Sequence, residues 1–351
     1  MTRAAAYVAA LADHPHGGGD CLPPGSPLSP RLTQFLSRDY LSPVVGAMLF
    51  PDSFQRFVPW PFAELDRARA MELSWERRWR QSFGCAADRF AAPYVDLYAA
   101  HPTALPQLFL NSTTVDEGKR VVQSALKLPA DVGPLDGVEL LSDPQVDVTA
   151  MPLSTAVHNS ARFPYVSPAG TVPSATPGKV WGRLVDGGYF DNSGATTARE
   201  IIDALKRAPS AAGMDLYALQ ITNDTEAPAL CSADGTINMQ TAIHAPTGRV
   251  PIDSELTTPL TAIMSSREGR STFSQLQLMQ AADRSQTSDR RCGSRFWTAY
   301  PQNAPHEPPL GWYLSPTTRR AFDTVADQAV CALILRLQAF PGWQAAWRCP
   351  G

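Results

Sequence analysis

Residues 179–222, KVWGRLVDGGYFDNSGATTAREIIDALKRAPSAAGMDLYALQIT, decide the fold. Val180 to Val185 predicts a strand, and Asp186, Gly187 and Gly188 predict the turn that ends it. Asn192 or Ser193 is placed to cap a helix whose Ala198, Ile201, Ile202 and Leu205 recur at i, i+3, i+4 and i+7. Leu216 to Thr222 is a second apolar strand. Strand, helix and strand in succession make a βαβ unit with a right-handed crossover, which implies a sheet that is at least partly parallel and buried. In such sheets ligands bind beyond the carboxyl ends of the strands, where Asp186 falls.

Working upstream, Ser154 to Arg162 predicts a helix that stops before Pro164, and Pro168 to Pro177 predicts a loop. Leu105 to Asn111 and Arg120 to Ala125 predict two strands joined by a turn. Ala68, Met71, Trp75, Trp79 and Phe83 mark an amphipathic helix over 62–83, with Arg67, Arg69, Arg77, Arg78 and Arg80 on its remaining surface. Its stripe suits either the core or a lipid interface. Residues 44–62, VVGAMLFPDSFQRFVPWPF, are apolar and aromatic but broken by Pro51, Pro59 and Pro61, so no long element runs through them. Ala4 to Leu11 predicts a short helix with Thr2 as its cap, and Asp13 to Pro30 a loop. Downstream, Asp224 to Pro259 predicts a polar loop, Thr272 to Asp283 a helix, and Pro316 to Phe340 a last helix. The expected division is 1–225 for the main domain and 226–351 for a loop-rich extension of it.

The 351 residues are 44% hydrophobic and 18% charged, which excludes a disordered chain. Thirty basic residues against 33 acidic leave a net charge of −3, so no overall field draws the chain to nucleic acid. The 32 prolines demand long irregular connections. Cys21, Cys85, Cys231, Cys292, Cys331 and Cys349 form no CxxC pair, which disfavours a zinc or thioredoxin-type site. No signal-peptide pattern and no apolar run of about 20 residues occurs, so the chain is expected to be soluble or peripheral to a membrane.

Asp-Gly-Gly alone is an ordinary turn, but its neighbours narrow the reading. PQLFLNSTTVDEGKRVV at 106–122, LSTAVHNSARFPYVSPAG at 153–170 and RLVDGGYFDNSGA at 183–195, in that order, resemble the distal half of patatin-like phospholipases. PLGWYLS at 309–315 is similar to the tail of large bacterial members. The resemblance implies a three-layer α/β fold with a largely parallel buried sheet, and acyl-ester hydrolysis by a Ser-Asp dyad. Asp186 matches the general base, Gly187 and Gly188 complete its motif, and Phe163, Pro164 and Tyr165 are expected to line an acyl pocket or pack in the core. The substrate class implied is a phospholipid or other acyl ester, with no cofactor and no metal, and with membrane contact through 44–62 and 62–83.

One departure is large. No serine in the 351 residues has glycine at both −2 and +2, so the nucleophile elbow is missing. The Gly-rich oxyanion loop is missing too; Gly17 to Gly19 is the nearest imitation and suits a flexible linker. Ala4 to Leu11 fits the helix that follows the elbow, so the expectation is a chain that lacks the first strands of the fold and starts just downstream of its serine. As it stands such a chain is an inactive hydrolase, or alternatively a non-catalytic lipid-binding or scaffolding pseudoenzyme. Among other candidates, Ser154 and Ser160 suit helix caps better than partners of Asp186. His158 suits packing or hydrogen bonding, and His14 and His16 lack the ligands that would complete a metal site.

Overall fold

The computed structural model describes residues 2–12, 28–55, 57–58, 66–84, 88–99, 105–126, 135–162, 166–221, 254–283, 295–299, 330–331 and 334. They form a mixed α/β fold that divides into two compact units, Met1–Phe190 and Asp191–Gly351. Among the described residues no helix is long and apolar enough to cross a membrane.

The first unit is helical before it is stranded. Helix α1 spans Thr2–Ala12, α2 Leu28–Leu36, α3 Leu41–Leu49, α4 Pro51–Gln55 and α5 Arg67–Phe83. Asp66 caps α5 by accepting from the Ala68 N–H at 2.9 Å, and Gly84 ends it in the left-handed region at φ 69°. All five stripe residues, Ala68, Met71, Trp75, Trp79 and Phe83, are buried, so the stripe is core and offers nothing to lipid. Trp79 stacks on Phe83 with ring centroids 4.0 Å apart and takes the edge of Phe35 at 5.5 Å. Such pairs are worth about 0.5–1.5 kcal/mol each beyond the area they bury. One departure from expectation occurs here: helix α2 begins inside the expected loop 13–30. Within 44–62 the described residues carry only the short helices α3 and α4, in keeping with the prolines that break the run. Pro51 opens α4, where its missing N–H costs nothing.

Five strands follow: β1 Leu110–Thr114, β2 Arg120–Gln123, β3 Val138–Glu139, β4 Gly170–Pro173 and β5 Val180–Asp186, with helix α6 at Leu153–Asn159 between β3 and β4. Their order in the sheet is β3-β2-β1-β5-β4. β1 and β2 form a hairpin as expected, but β1 begins five residues after the expected Leu105 and includes Ser112 to Thr114, which were expected in the turn; β1 also pairs antiparallel with β5, setting Ser112 opposite Asp186. β2 and β3 are parallel, β4 and β5 antiparallel. This sheet is therefore mixed, not largely parallel: the short connections of β1 to β2 and of β4 to β5 require antiparallel neighbours, and β1 and β5 are antiparallel as well. β4 lies in the expected loop 168–177; Val172 is its buried anchor, and Pro173 sits where the register shifts, a place that tolerates proline. β1 and β2 are buried along nearly their whole length, whereas in β5 only Leu184 is.

The second unit contains α7 Ala195–Arg207, β6 Ala218–Ile221, α8 Ser254–Asp283 and β7 Phe296–Ala299. Ala195, Ile202, Ala218, Leu276, Met279, Ala282 and Phe296 are among its core residues. β6 and β7 pair in parallel, Ala218 opposite Phe296. The expected parallel partnership of β5 with β6 does not form: β5 carries β1 on one edge and β4 on the other, so no edge remains for a third strand. The strand–helix–strand unit with parallel strands is instead β6–α8–β7, whose helix starts 18 residues before the expected Thr272. Gly194 stands at the N-cap position of α7 in the left-handed region, φ 71°; of the two expected caps, Ser193 accepts the Ala195 N–H on its Oγ at 3.1 Å, and Asp191 accepts the Thr196 N–H at 2.8 Å.

Candidate active site

Asp186 closes β5 at its carboxyl end and is half-buried. One carboxylate oxygen accepts the Gly188 N–H at 2.6 Å, and the Asp186 carbonyl accepts from Thr113 Oγ1 at 3.1 Å. Gly187 is pressed onto β1, where a Cβ would collide with the Asn111 carbonyl oxygen, so any side chain at 187 would push the turn off the sheet. The turn Gly187–Tyr189 is a short 3-10 element, and Phe190 N–H closes it onto the Gly187 carbonyl at 3.0 Å. Residues opposite each other in an antiparallel pair face the same side of the sheet. Ser112 faces Asp186 in this way, but it is wholly buried and its oxygen accepts from Gln123 Nε2 at 2.8 Å.

Gln123 is one end of a buried polar array that runs back to α5. Its Oε1 accepts from Asn159 Nδ2 at 3.4 Å, and Asn159 Oδ1 accepts from Arg162 Nε at 2.9 Å. Arg162 reaches Glu72 Oε1 at 3.4 Å and the Pro168 carbonyl at 2.9 Å. Glu72 also accepts from Thr155 Oγ1 at 2.9 Å and lies 3.1 Å from His158 Nδ1, while His158 Nε2 lies 2.9 Å from Ser167 Oγ. One turn along α5, Glu76 accepts from Ser154 Oγ at 2.8 Å and from Arg69 at 2.7 Å. Gly170 must be glycine here, because a Cβ would overlap the Asn159 and Arg162 side chains.

The charges in this array balance. Glu72 and Glu76 face Arg69 and Arg162, and His158, wholly buried with Trp75 packed edge-on at 5.6 Å, completes the contact neutral. Burial pushes the imidazole below its ordinary 6.5 and outweighs the Glu72 hydrogen bond that favours its charged form. Burial alone would raise the Glu72 carboxyl, but the His158 N–H, the Arg162 charge and the Thr155 hydroxyl together hold it below its ordinary 4.5. An ionised Glu72 only accepts, so His158 carries its proton on Nδ1, and Nε2 accepts from the Ser167 hydroxyl.

The structure thus brings Asp186, Gly187 and Gly188 together at one strand end. Phe163, Pro164 and Tyr165 lie outside the described residues, as do His14, His16 and Gly17 to Gly19. Ser154 is not a cap; Pro152 holds that position and Ser154 binds Glu76. Ser160 is the C-cap residue of α6, and its buried hydroxyl has no partner among the described residues. His158 is a hydrogen-bonding core residue, as its place on the helix suggested. Glu72, Glu76 and Ser167 escaped the sequence reading. Their one available signal is the pair of glutamates four apart beside the tryptophan stripe, set among the arginines of the helix's remaining surface. No family model matches the chain, and no curated protein and no solved structure matches it either.

Proposed function

We propose that the chain is the base-bearing part of a patatin-like lipid acyl hydrolase. Asp186 is its general base, and its substrates are phospholipids or other fatty acyl esters. The observation that carries this reading is the placement of a half-exposed carboxylate at the end of β5, pinned by the Gly188 N–H on a glycine turn that admits no side chain. A serine hydroxyl becomes a competent nucleophile when a base within about 2.6–3.2 Å takes its proton, and the tetrahedral oxyanion then needs aimed donors. The G-x-S-x-G serine is not among these 351 residues, so Asp186 has no elbow serine here to serve. Supplying a strand, a G-x-S-x-G elbow and its helix as a co-expressed segment should create turnover of a p-nitrophenyl fatty ester. Asp186→Asn should then lower that turnover by about 100-fold or more. Undiminished turnover in that variant removes Asp186 from the mechanism.

A second reading, lipid binding without chemistry, is favoured by a different observation. Leu49, Phe50, Phe54 and Phe57, on and just after α3 and α4, are all exposed, Phe57 at 87%. A cluster of aromatic rings in water suits the headgroup boundary of a bilayer. Flotation with phosphatidylcholine–phosphatidylglycerol vesicles, alongside the ester assay, separates the readings: binding that persists with no turnover in the complemented protein supports the second.

A further inference from the structure

The array described above contains, in order, a carboxylate, an imidazole and a hydroxyl, the carboxylate 86 residues from the imidazole in sequence and the hydroxyl nine. Glu72 comes from α5, His158 from α6 and Ser167 from the segment entering β4. We infer that Ser167 is a nucleophilic serine, with His158 as its general base and Glu72 as the positioning residue, able to react with small activated acyl or phosphoryl electrophiles. This goes beyond the Asp186 reading and does not depend on it, because the array holds its own base.

The argument is one of connectivity and charge. A serine protein network built only to satisfy buried groups needs each donor to meet an acceptor. Here the order of atoms is also the one that activates a hydroxyl: carboxylate to Nδ1–H at 3.1 Å, then Nε2 to Oγ at 2.9 Å. Trp75 and Thr155 fix the ring and the carboxylate, and Arg162 neutralises the carboxylate while its other bonds go to Asn159 and the Pro168 carbonyl, leaving Nε2 to Ser167. Ser167 is the outer end of the relay, at 7% exposure against 5% for Glu72 and none for His158, and Val166, Pro168 and Ala169 beside it are half-buried. Approach is therefore narrow, which limits the electrophile to a small one.

The step balances as follows. Ser167 Oγ attacks the carbonyl carbon of an ester while its proton passes to His158 Nε2; the C–O bond of the leaving alcohol breaks, and the imidazolium returns the proton to that alcohol. Water, deprotonated by His158, then releases the acid and restores Ser167. With a dialkyl fluorophosphate the Oγ–P bond forms, the P–F bond breaks and fluoride leaves, so the adduct stays on the serine.

That reagent is the test. The folded 351-residue chain is treated with diisopropyl fluorophosphate, and the adduct is mapped by peptide mass spectrometry. An adduct at Ser167 that is absent from urea-unfolded protein, and slowed at least about 100-fold in His158→Gln, is the expected result. The adduct is read at Ser167 alone, so failure of the Asp186 reading leaves this outcome unchanged. Glu72→Asp should retain labelling that Glu72→Ala loses. Folded wild-type protein with no adduct at Ser167, or with adducts only at other serines, overturns the inference, as does a folded His158→Gln variant that labels at the wild-type rate.

Discussion

Replacing Glu72 by glutamine keeps the shape of the buried array and removes its central charge. The Glu72 and Arg162 side chains are 6% and 5% exposed, so neither can turn to water when its partner changes. Arg162 would keep its bonds to Asn159 and to the Pro168 carbonyl but lose its counter-charge. An uncompensated buried charge of this kind costs about 3–5 kcal/mol, a large share of the roughly 5–15 kcal/mol that holds a domain folded. Urea unfolding followed by tryptophan fluorescence is the natural assay, because Trp75 packs against His158. Removing the stranded charge as well, in Glu72→Gln with Arg162→Met, should lose less than the sum of the two single losses by about 0.5–3 kcal/mol. A single-variant loss below about 1 kcal/mol, or strict additivity in the double, would refute the account of the array as a balanced set of buried charges.

Acidification should destabilise the protein in two stages. Because burial depresses His158, the unfolded chain takes up a proton that the folded one refuses. Its contribution is complete above 6.5 and falls as pH drops toward the folded value. Glu72, also depressed, adds its loss below 4.5. The slope contributed by each group is at most about 1.4 kcal/mol per pH unit, measurable from urea midpoints between pH 8 and 4. Trp79→Ala should cost about 3–5 kcal/mol through the cavity it leaves among Phe35, Phe83 and Phe90; a loss under 1 kcal/mol would mean that this cluster is not core. Gly187→Ala should cost about 1–3 kcal/mol in the same assay, since its methyl group meets the Asn111 carbonyl. Phe57→Ser should leave stability within about 0.5 kcal/mol while reducing vesicle flotation.

Regular periodicity made much of the fold readable in advance. The α5 stripe, the β1–β2 hairpin, β5 with Asp186 at its end, and helix α7 all announce themselves through spacing or turn residues. β4 was hidden because Pro168, Pro173 and Pro177 signal a loop, while the pairing that makes it a strand comes from β5. Strand partnership was misjudged for a related reason: local order suggested β5 beside β6, but edge occupancy is settled by distant segments. The buried array was the least readable part. Glu72 and Glu76 sit among arginines on a helix that looks solvated on that side, and their partners Thr155, Ser154 and His158 come 78 to 86 residues later. No local pattern encodes such a meeting.

That separation bears on the order in which the molecule assembles. A carboxylate cannot be stripped of water before its donors arrive without a cost of several kcal/mol, so the space beneath α5 must stay wet until α6 has come home in the right turn-by-turn alignment. Glu72 then serves as a checkpoint on docking: a helix seated one turn out of place would leave the acid dry and partnerless, and the chain would back away from that arrangement. Stopped-flow measurements on Glu72→Gln should find unfolding accelerated and folding nearly unchanged, the mark of a contact made last.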